Sequence, residues 1–182
     1  MDNFREEIVI RHKQGAYSFL YGLAWAGLIL SGGLALFGLQ GAMQILAGEF
    51  DLISIGILVV FGGLTYLIWR NKDELKCEYD YTFTNGDLDI AKVLNNSRRK
   101  PLTSLSMRNV ESCGAVAHQS FQRFITMQGV KKYNWFLNRE AKLYYFYFTK
   151  NSTKYIIIVE LSDEMITMVR SHNYLNFGVW QG

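Results

Sequence analysis

Three consecutive basic residues give this sequence its first recognisable binding chemistry. Arg98, Arg99 and Lys100 follow a probable turn, "NNS", and precede the single proline of the chain, Pro101. Near an anionic lipid leaflet each Lys or Arg contributes on the order of 1 kcal/mol of attraction. We therefore predict that this loop binds anionic lipid or phosphate.

A second segment, residues 121–139, mixes basic and aromatic side chains. Its predicted lipid or phosphate contacts are Arg123, Lys131 and Lys132, and its predicted membrane-interface aromatics are Tyr133, Trp135 and Phe136. Aromatic rings can enter the headgroup region beside basic residues. The alternative is a solvated basic surface over further strands, because aromatic residues alternate with polar ones here. Nucleic acid is a poorer partner, since no recognition motif accompanies the charge.

Catalytic and metal-binding patterns do not emerge from the sequence. Cys77 and Cys113 are far apart and form no CxxC pair, and the three histidines have no metal-ligand spacing. Asp87 and Asp89 would share one side of a strand, which is more typical of a solvated face than of a catalytic pair. We expect a protein that is not an enzyme and has no metal and no cofactor.

Two long uncharged runs must position these residues. Gln14 to Gly48 contains 35 residues and Leu52 to Trp69 contains 18, all without Asp, Glu, Lys or Arg. At ~1.5 Å per helical residue, the shorter run covers roughly 27 Å, close to the hydrocarbon thickness of a bilayer. We predict transmembrane helices at residues 16–40 and 52–70. A cleaved signal peptide is the alternative for the first run, but it is long for one.

The distribution of basic residues predicts the orientation of these spans. Arg5, Arg11 and Lys13 precede the first span, and further basic residues follow the second, whereas the segment between them has none. The positive-inside rule then assigns the protein to the plasma membrane with both termini in the cytoplasm. The expected parts are a cytoplasmic segment (1–15), a short extracellular turn (41–51) and a cytoplasmic domain (71–182).

Small residues recur along the first span at intervals of four. Gly27, Ser31 and Ala35 would form a face on which a second helix backbone can approach closely. Packing of the two spans on each other within one chain is the favoured interpretation, and oligomerisation is the alternative. The oligomeric state is therefore left open.

Residues 70–182 have the composition of a small β-rich domain. They contain sixteen Lys and Arg against eleven Asp and Glu. Alternating residues flank Asn85-Gly86, a dipeptide that favours a type I′ hairpin turn. A second hairpin is predicted around residues 151–153, and "SDEMITMVRSHNYL" has the capping serine, acidic first turn and apolar stripe of a helix, with His172 near its end.

Two spans followed by "YDYTFTNGDLDIAKV", the basic turn "NNSRRK" and "PLTSLSMRNVESCG" resemble the membrane-anchored pleckstrin-homology-like (PH-like) domains of bacteria. The most similar group is a two-span family of Clostridia-type Gram-positive bacteria. This resemblance implies an α+β fold, in which a transmembrane helical hairpin precedes an antiparallel β-barrel or sandwich capped by a C-terminal helix. It supplies no activity.

Two functional hypotheses follow from these patterns. The first is a membrane-tethered binding or scaffold module that engages a protein partner or anionic membrane lipid at the inner membrane surface. The alternative is a small homo-oligomeric channel or transporter accessory subunit. The absence of charge within the spans makes the alternative weaker, because channels and transporters commonly use intramembrane ionisable residues.

Overall fold

The computed structural model of the protein describes residues 3–44, 48, 52–171 and 174–181. The chain forms two compact units. One unit is helical and comprises Lys13–Cys77, and the other combines the residues before it with those after it. The helical unit is therefore an insertion in the chain of the second unit.

The helical unit contains two long apolar helices, α1 (Gln14–Met43) and α2 (Leu52–Asn71), followed by a short 3₁₀ turn, Lys72–Lys76. Both helices are long and apolar enough to cross a membrane, which is weak evidence of spans by length and composition alone. α1 extends beyond the predicted span at both ends. Most of the predicted turn between the spans lies outside the described residues, including Glu49 and Asp51.

Small and hydroxylated residues bring α1 and α2 together. A Cβ atom added to Gly38 would lie 2.6 Å from the backbone nitrogen of Leu58, so only glycine permits this approach. Thr65 Oγ1 donates a hydrogen bond to buried Ser31 Oγ over 2.8 Å. A Cβ atom added to Gly27 would lie 3.5 Å from the side chain of Ile68. Gly27 and Ser31 of the predicted small-residue face thus lie at the contact between α1 and α2.

The 3₁₀ turn is held against the first half of α1. Lys72 Nζ lies 4.9 Å from the ring centre of Trp25, and Lys76 Nζ lies 4.2 Å from that of Tyr21. Cations attract aromatic faces in this geometry. Charged Lys72 lies beside Trp25. The part of α1 beyond this charge, from Trp25 to Met43, is roughly 28 Å long.

Four strands form the first sheet of the second unit. They are β1 (Phe4–Val9), β2 (Cys77–Thr84), β3 (Asp87–Leu94) and β4 (Arg98–Ser106), in the order β1-β2-β3-β4. Positive φ angles of 50° at Asn85 and 101° at Gly86 confirm the predicted hairpin between β2 and β3. β1 pairs antiparallel with β2, with Val9 opposite Tyr79. The sequence had predicted no strand before the first helix.

Five strands form the second sheet, in the order β6-β8-β7-β5-β9. They are β5 (Val110–Ala115), β6 (Val130–Trp135), β7 (Leu143–Lys150), β8 (Thr153–Glu160) and the two-residue β9 (Trp180–Gln181). β7 and β8 form the predicted second hairpin. β6 pairs parallel with β8, and β9 pairs parallel with β5, so this sheet is mixed and not purely antiparallel.

Both faces of the second sheet are covered. On one face Tyr145 and Ile156 pack with Phe121 of a short helix, α3 (Ser120–Ile125). The opposite face presents Phe146 and Ile157, both completely buried. Tyr81 of the first sheet donates its hydroxyl hydrogen to the Trp135 carbonyl of the second, in accord with a two-sheet sandwich.

The last helix, α4 (Asp163–Arg170), begins as the sequence predicts. Ser162 Oγ accepts a hydrogen bond from the backbone N–H of Met165 over 3.1 Å, and Asp163 and Glu164 occupy the first turn. Met165, Ile166 and Val169 are buried. His172 lies outside the described residues. The predicted α+β fold with two apolar helices, a β-sandwich and a C-terminal helix is confirmed.

Candidate binding groove

A groove separates β4 of the first sheet from the exposed side of β6 in the second. Pro101, Leu102 and Thr103 form one wall, and Tyr133 and Trp135 lie on the other. Its volume is about 440 Å³, within the range of small ligand sites. β4 and β6 are each the outer strand of a sheet, which explains why the sandwich is open along this line.

A row of four aromatic rings lines the second wall. Tyr133 and Trp135 stack with ring centres 5.2 Å apart, and Tyr133 faces Tyr155 of β8 at 6.3 Å. Tyr155 in turn stacks on Phe148 of β7 at 5.5 Å. The successive rings are inclined by only 16–23°. The row therefore forms nearly parallel ridges across three strands, and Tyr133 is 39% exposed.

Lysines give the groove a positive character. Lys150 belongs to its lining, and Lys131 Nζ lies 5.8 Å from the ring centre of Tyr155. Successive residues of a strand face opposite sides, so Lys131 is on the side of Tyr133 and Trp135, whereas Lys132 is on the other. Lys100 is exposed and directly precedes the Pro101 wall. The basic segments 98–100 and 121–139 thus each contribute a lysine beside this groove.

The predicted loop 98–100 is the first part of β4 and is not a loop. Arg99 Nη2 lies 2.7 Å from a carboxylate oxygen of Asp80, whose side chain is only 5% exposed. Burial raises the pKa of Asp80, Arg99 opposes that shift, and nearby Glu6 adds to it. Arg99 is therefore a structural residue, because its guanidinium is engaged with a buried carboxylate.

Two further predicted site residues, besides Lys132, lie away from the groove. Arg123 is on α3, where its guanidinium carbon is 5.9 Å from the ring centre of Phe124. Phe136 is half-buried and packs against the cluster that includes Phe121 and Tyr145. Arg123 belongs to α3, and Phe136 lies on the face of the second sheet that α3 covers. Of the three predicted membrane-interface aromatics, only Tyr133 and Trp135 belong to the groove.

Phe148, Tyr155 and the Pro101–Thr103 wall were missed in the sequence as parts of a site. Phe148 and Tyr155 belong to aromatic-rich strands, which also form core, so composition alone does not separate the two roles. The parallel pairing of β6 with β8 is what brings Tyr133 beside Tyr155. β7 lies between β6 and β8 in the chain, so no local sequence pattern predicts that β6 and β8 pair.

A second pocket, of about 560 Å³, lies between β1, the end of β8 and the start of α4. Its carboxylates already serve the fold. Glu7 accepts hydrogen bonds from Ser162, and Asp163 pairs with Lys142. Because these polar groups are engaged with one another, the pocket is the weaker candidate for a ligand site.

Buried Glu160 and Asn138 form a structural network. Asn138 Nδ2 donates to Glu160 over 2.9 Å and to the Ile10 carbonyl over 2.9 Å, and Asn138 Oδ1 accepts from the His12 N–H over 2.8 Å. Glu160 also accepts the Asn138 N–H over 3.0 Å. Satisfied groups of this kind fix the end of β1 in place and leave little capacity for chemistry.

The thiols and acidic groups give no sign of catalysis. Cys113 is completely buried, and burial raises its pKa to about 12, so it is a thiol and not a nucleophilic thiolate at neutral pH. Cys77 is buried as well. In the described part of the chain, no three His, Cys, Asp or Glu side chains are grouped so that they could hold a metal ion.

Neither the curated proteins nor the solved structures contain a match to this chain. A family profile does match: the one described as "Bacterial PH-like domain (DUF6106)" aligns with residues 1–177. The alignment includes both apolar helices and every strand from β1 to β8. The chain therefore belongs to the bacterial PH-like domain family.

Proposed function

We propose that this protein is a membrane-tethered, non-enzymatic binding module that works at the inner surface of the plasma membrane. PH-like domains are generally non-catalytic binding modules, which favours this function over an enzymatic one. The observation that carries the proposal is the insertion of two apolar helices between β1 and β2, neighbouring strands of one sheet. A domain built in this way is tied to the helices through both of its chain connections.

The pairing of β1 with β2 also constrains the topology of the proposed spans. β1 precedes α1 and β2 follows α2, so the two flanking segments must lie on the same side of a membrane. Basic residues are concentrated in these segments, at Arg11 and Lys13 before α1 and at Arg70, Lys72 and Lys76 after α2. The positive-inside rule then favours the cytoplasmic side for the whole domain.

The same end of the first sheet carries the basic start of β4. Val9 and Tyr79, where β1 ends and β2 begins, are at this end. β3 runs back toward it, and β4 leaves from it with Leu94 opposite Arg98 and Val93 opposite Arg99. A tether at this end would give Arg98 and Lys100 a high local concentration of lipid headgroups. We infer that these two residues contact anionic lipid.

The test compares the full chain in nanodiscs of zwitterionic lipid with the full chain in nanodiscs rich in phosphatidylglycerol. Hydrogen exchange of residues 98–103 should be slower in the anionic discs, and salt should reduce the difference. Each reversed charge changes the attraction by on the order of 1 kcal/mol. Arg98→Glu with Lys100→Glu should therefore remove the protection.

The control is Lys132→Glu with Lys154→Glu, which makes the same change in net charge on the second sheet and should preserve the protection. Arg99 is retained in both variants, because it pairs with Asp80. Equal exchange in the two kinds of disc, or protection that survives the double reversal at β4, would exclude Arg98 and Lys100 as lipid contacts.

A channel subunit remains the alternative, and the helix packing gives it less support. Ser31 and Thr65, two of the hydroxyl groups at the contact, bond to each other. Gly38 closes the contact further along the helices. The large outward side chains, such as Ile29, Phe37 and Val60, are apolar, as expected of surfaces that face lipid.

A further inference from the structure

We propose that the groove between β4 and β6 binds an extended, proline-containing acidic segment of a partner protein. This inference rests on the proposed binding function and names a protein partner for it. The ligand would lie along the ridges formed by Trp135, Tyr133, Tyr155 and Phe148. Its prolines would pack across the exposed edges of the rings, and its carboxylates would meet the lysines at the rim.

The arrangement of the rings selects proline. Successive rings are nearly parallel and their centres are 5.2–6.3 Å apart, so the wall presents flat apolar ridges across the strands. Grooves lined by aromatic residues bind polyproline II segments, whose rings pack on aromatic surfaces and whose stiff backbone loses little entropy on binding. Pro101 and Leu102 on the facing wall add apolar surface.

The edges of the groove are poorly suited to the addition of a β-strand. Pro101 is the first residue of the β4 wall and has no backbone N–H to donate. On β6, Lys131 and Lys132 are consecutive, and edge lysines discourage strand pairing. A polyproline II segment has no need of a continuous ladder of backbone hydrogen bonds. These edges therefore favour such a ligand over a β-strand.

The charge of the groove selects an acidic ligand. Lys150 lines it and Lys131 lies over Tyr155. Among the described residues that form the lining, none is acidic. A ligand with Asp or Glu next to its prolines would pair with these two lysines, while a basic proline-rich segment would be repelled.

The experiment selects peptides from a random display library on the full chain in zwitterionic nanodiscs. The enriched peptides should contain proline together with Asp or Glu. Synthetic copies should bind about ten-fold more weakly to Tyr133→Ala and to Lys131→Glu, a typical loss at a hot-spot residue. Two control variants should retain binding: Lys132→Glu, on the opposite side of β6, and Phe177→Ala, a fully exposed aromatic residue elsewhere.

Three results would overturn the inference. They are the absence of enriched peptides, enrichment of peptides without proline or acidic residues, and binding that is unchanged by both Tyr133→Ala and Lys131→Glu. If Tyr133→Ala instead abolishes the protection seen in anionic discs, the groove is a lipid site. The peptide selection uses zwitterionic lipid, so its result does not depend on anionic lipid at Arg98 and Lys100. The two proposals can therefore be refuted independently.

Discussion

Neighbouring residues of the same chemistry have different roles in β4. Arg98 and Lys100 lie on one side of the strand, and Arg99 lies on the other, where it pairs with buried Asp80. The Asp80 oxygen that does not face Arg99 is buried and makes no hydrogen bond within the described chain. A carboxylate in this position opposes folding when it is ionised, even with its cationic partner.

Asp80 provides a prediction about pH. Its pKa is raised above the unfolded value of 3.8, mainly by burial, so its contribution to stability is greatest at low pH and is lost as the pH rises through the folded pKa. Asn cannot ionise. The melting temperature of Asp80→Asn, relative to that of the unmodified chain, should therefore increase as the pH rises from about 4 toward 7.

Thermal unfolding of the full chain in detergent, followed by circular dichroism across this pH series, measures the difference. Lys100→Gln serves as the control, because Lys100 is exposed and the change introduces no carboxylate, so it should produce no such trend. A difference between Asp80→Asn and the unmodified chain that stays constant, or that falls with rising pH, would contradict the assigned sign.

At this scale the sequence identified part of the site. Tyr133 and Trp135 could be recognised because aromatic residues at alternate positions beside lysines suggest an exposed strand face. Arg99 could not be separated from Arg98, since its partner Asp80 is distant in sequence. The role of Phe148 and Tyr155 depends on where the first sheet ends, which is a property of packing and not of local composition.

Strand β1 is the element that could not be predicted from the sequence. Its residues FREEIV look like a charged segment before a span, and its apolar members Phe4 and Ile8 are exposed. The inward positions Arg5 and Glu7 make polar contacts instead, with Glu164 and Ser162. Alternation of apolar and polar residues therefore gives the wrong inward face. The Asn85-Gly86 hairpin, by contrast, was readable because its turn chemistry is local.

The pairing of β1 with β2 leads to a prediction about the isolated domain. Residues 72–182 contain β2 and β3 but not β1, so the edge of β2 that pairs with β1 would be unpaired. Each lost hydrogen bond costs about 1 kcal/mol, and an uncovered edge invites aggregation. A chain that joins residues 1–10 to residues 78–182 through a short glycine-containing turn should be monomeric and should melt at a higher temperature than residues 72–182.

Size-exclusion chromatography and circular dichroism compare the two chains. A joined chain in which a scrambled segment replaces residues 1–10 controls for added length. If residues 72–182 alone are monomeric and equally stable, β1 contributes nothing to the sheet. If the joined chain has mostly helical circular dichroism, the division of the protein into a helical and a β-rich unit is wrong.

For the whole molecule, the mean composition conceals a division between apolar helices and a charged β-rich unit. The sequence revealed this division, because uncharged runs of 35 and 18 residues are visible without any alignment. It did not reveal that the helical unit interrupts a sheet, since the pairing of Val9 with Tyr79, 70 positions further along the chain, leaves no periodic signal. The insertion joins the helical unit to the β-rich unit at two points of the chain.

Cysteine labelling shows whether these helices hold the β-rich unit at the inner surface of a membrane, as we propose. Native Cys77 and Cys113 are buried, so they should not react in the folded protein. A membrane-impermeant maleimide applied to intact cells should label Glu49→Cys, between the proposed spans, and should not label Lys154→Cys, on the β-rich unit. Permeabilisation should expose Lys154→Cys. Labelling of Lys154→Cys in intact cells, or recovery of the protein in the soluble fraction, would contradict the account.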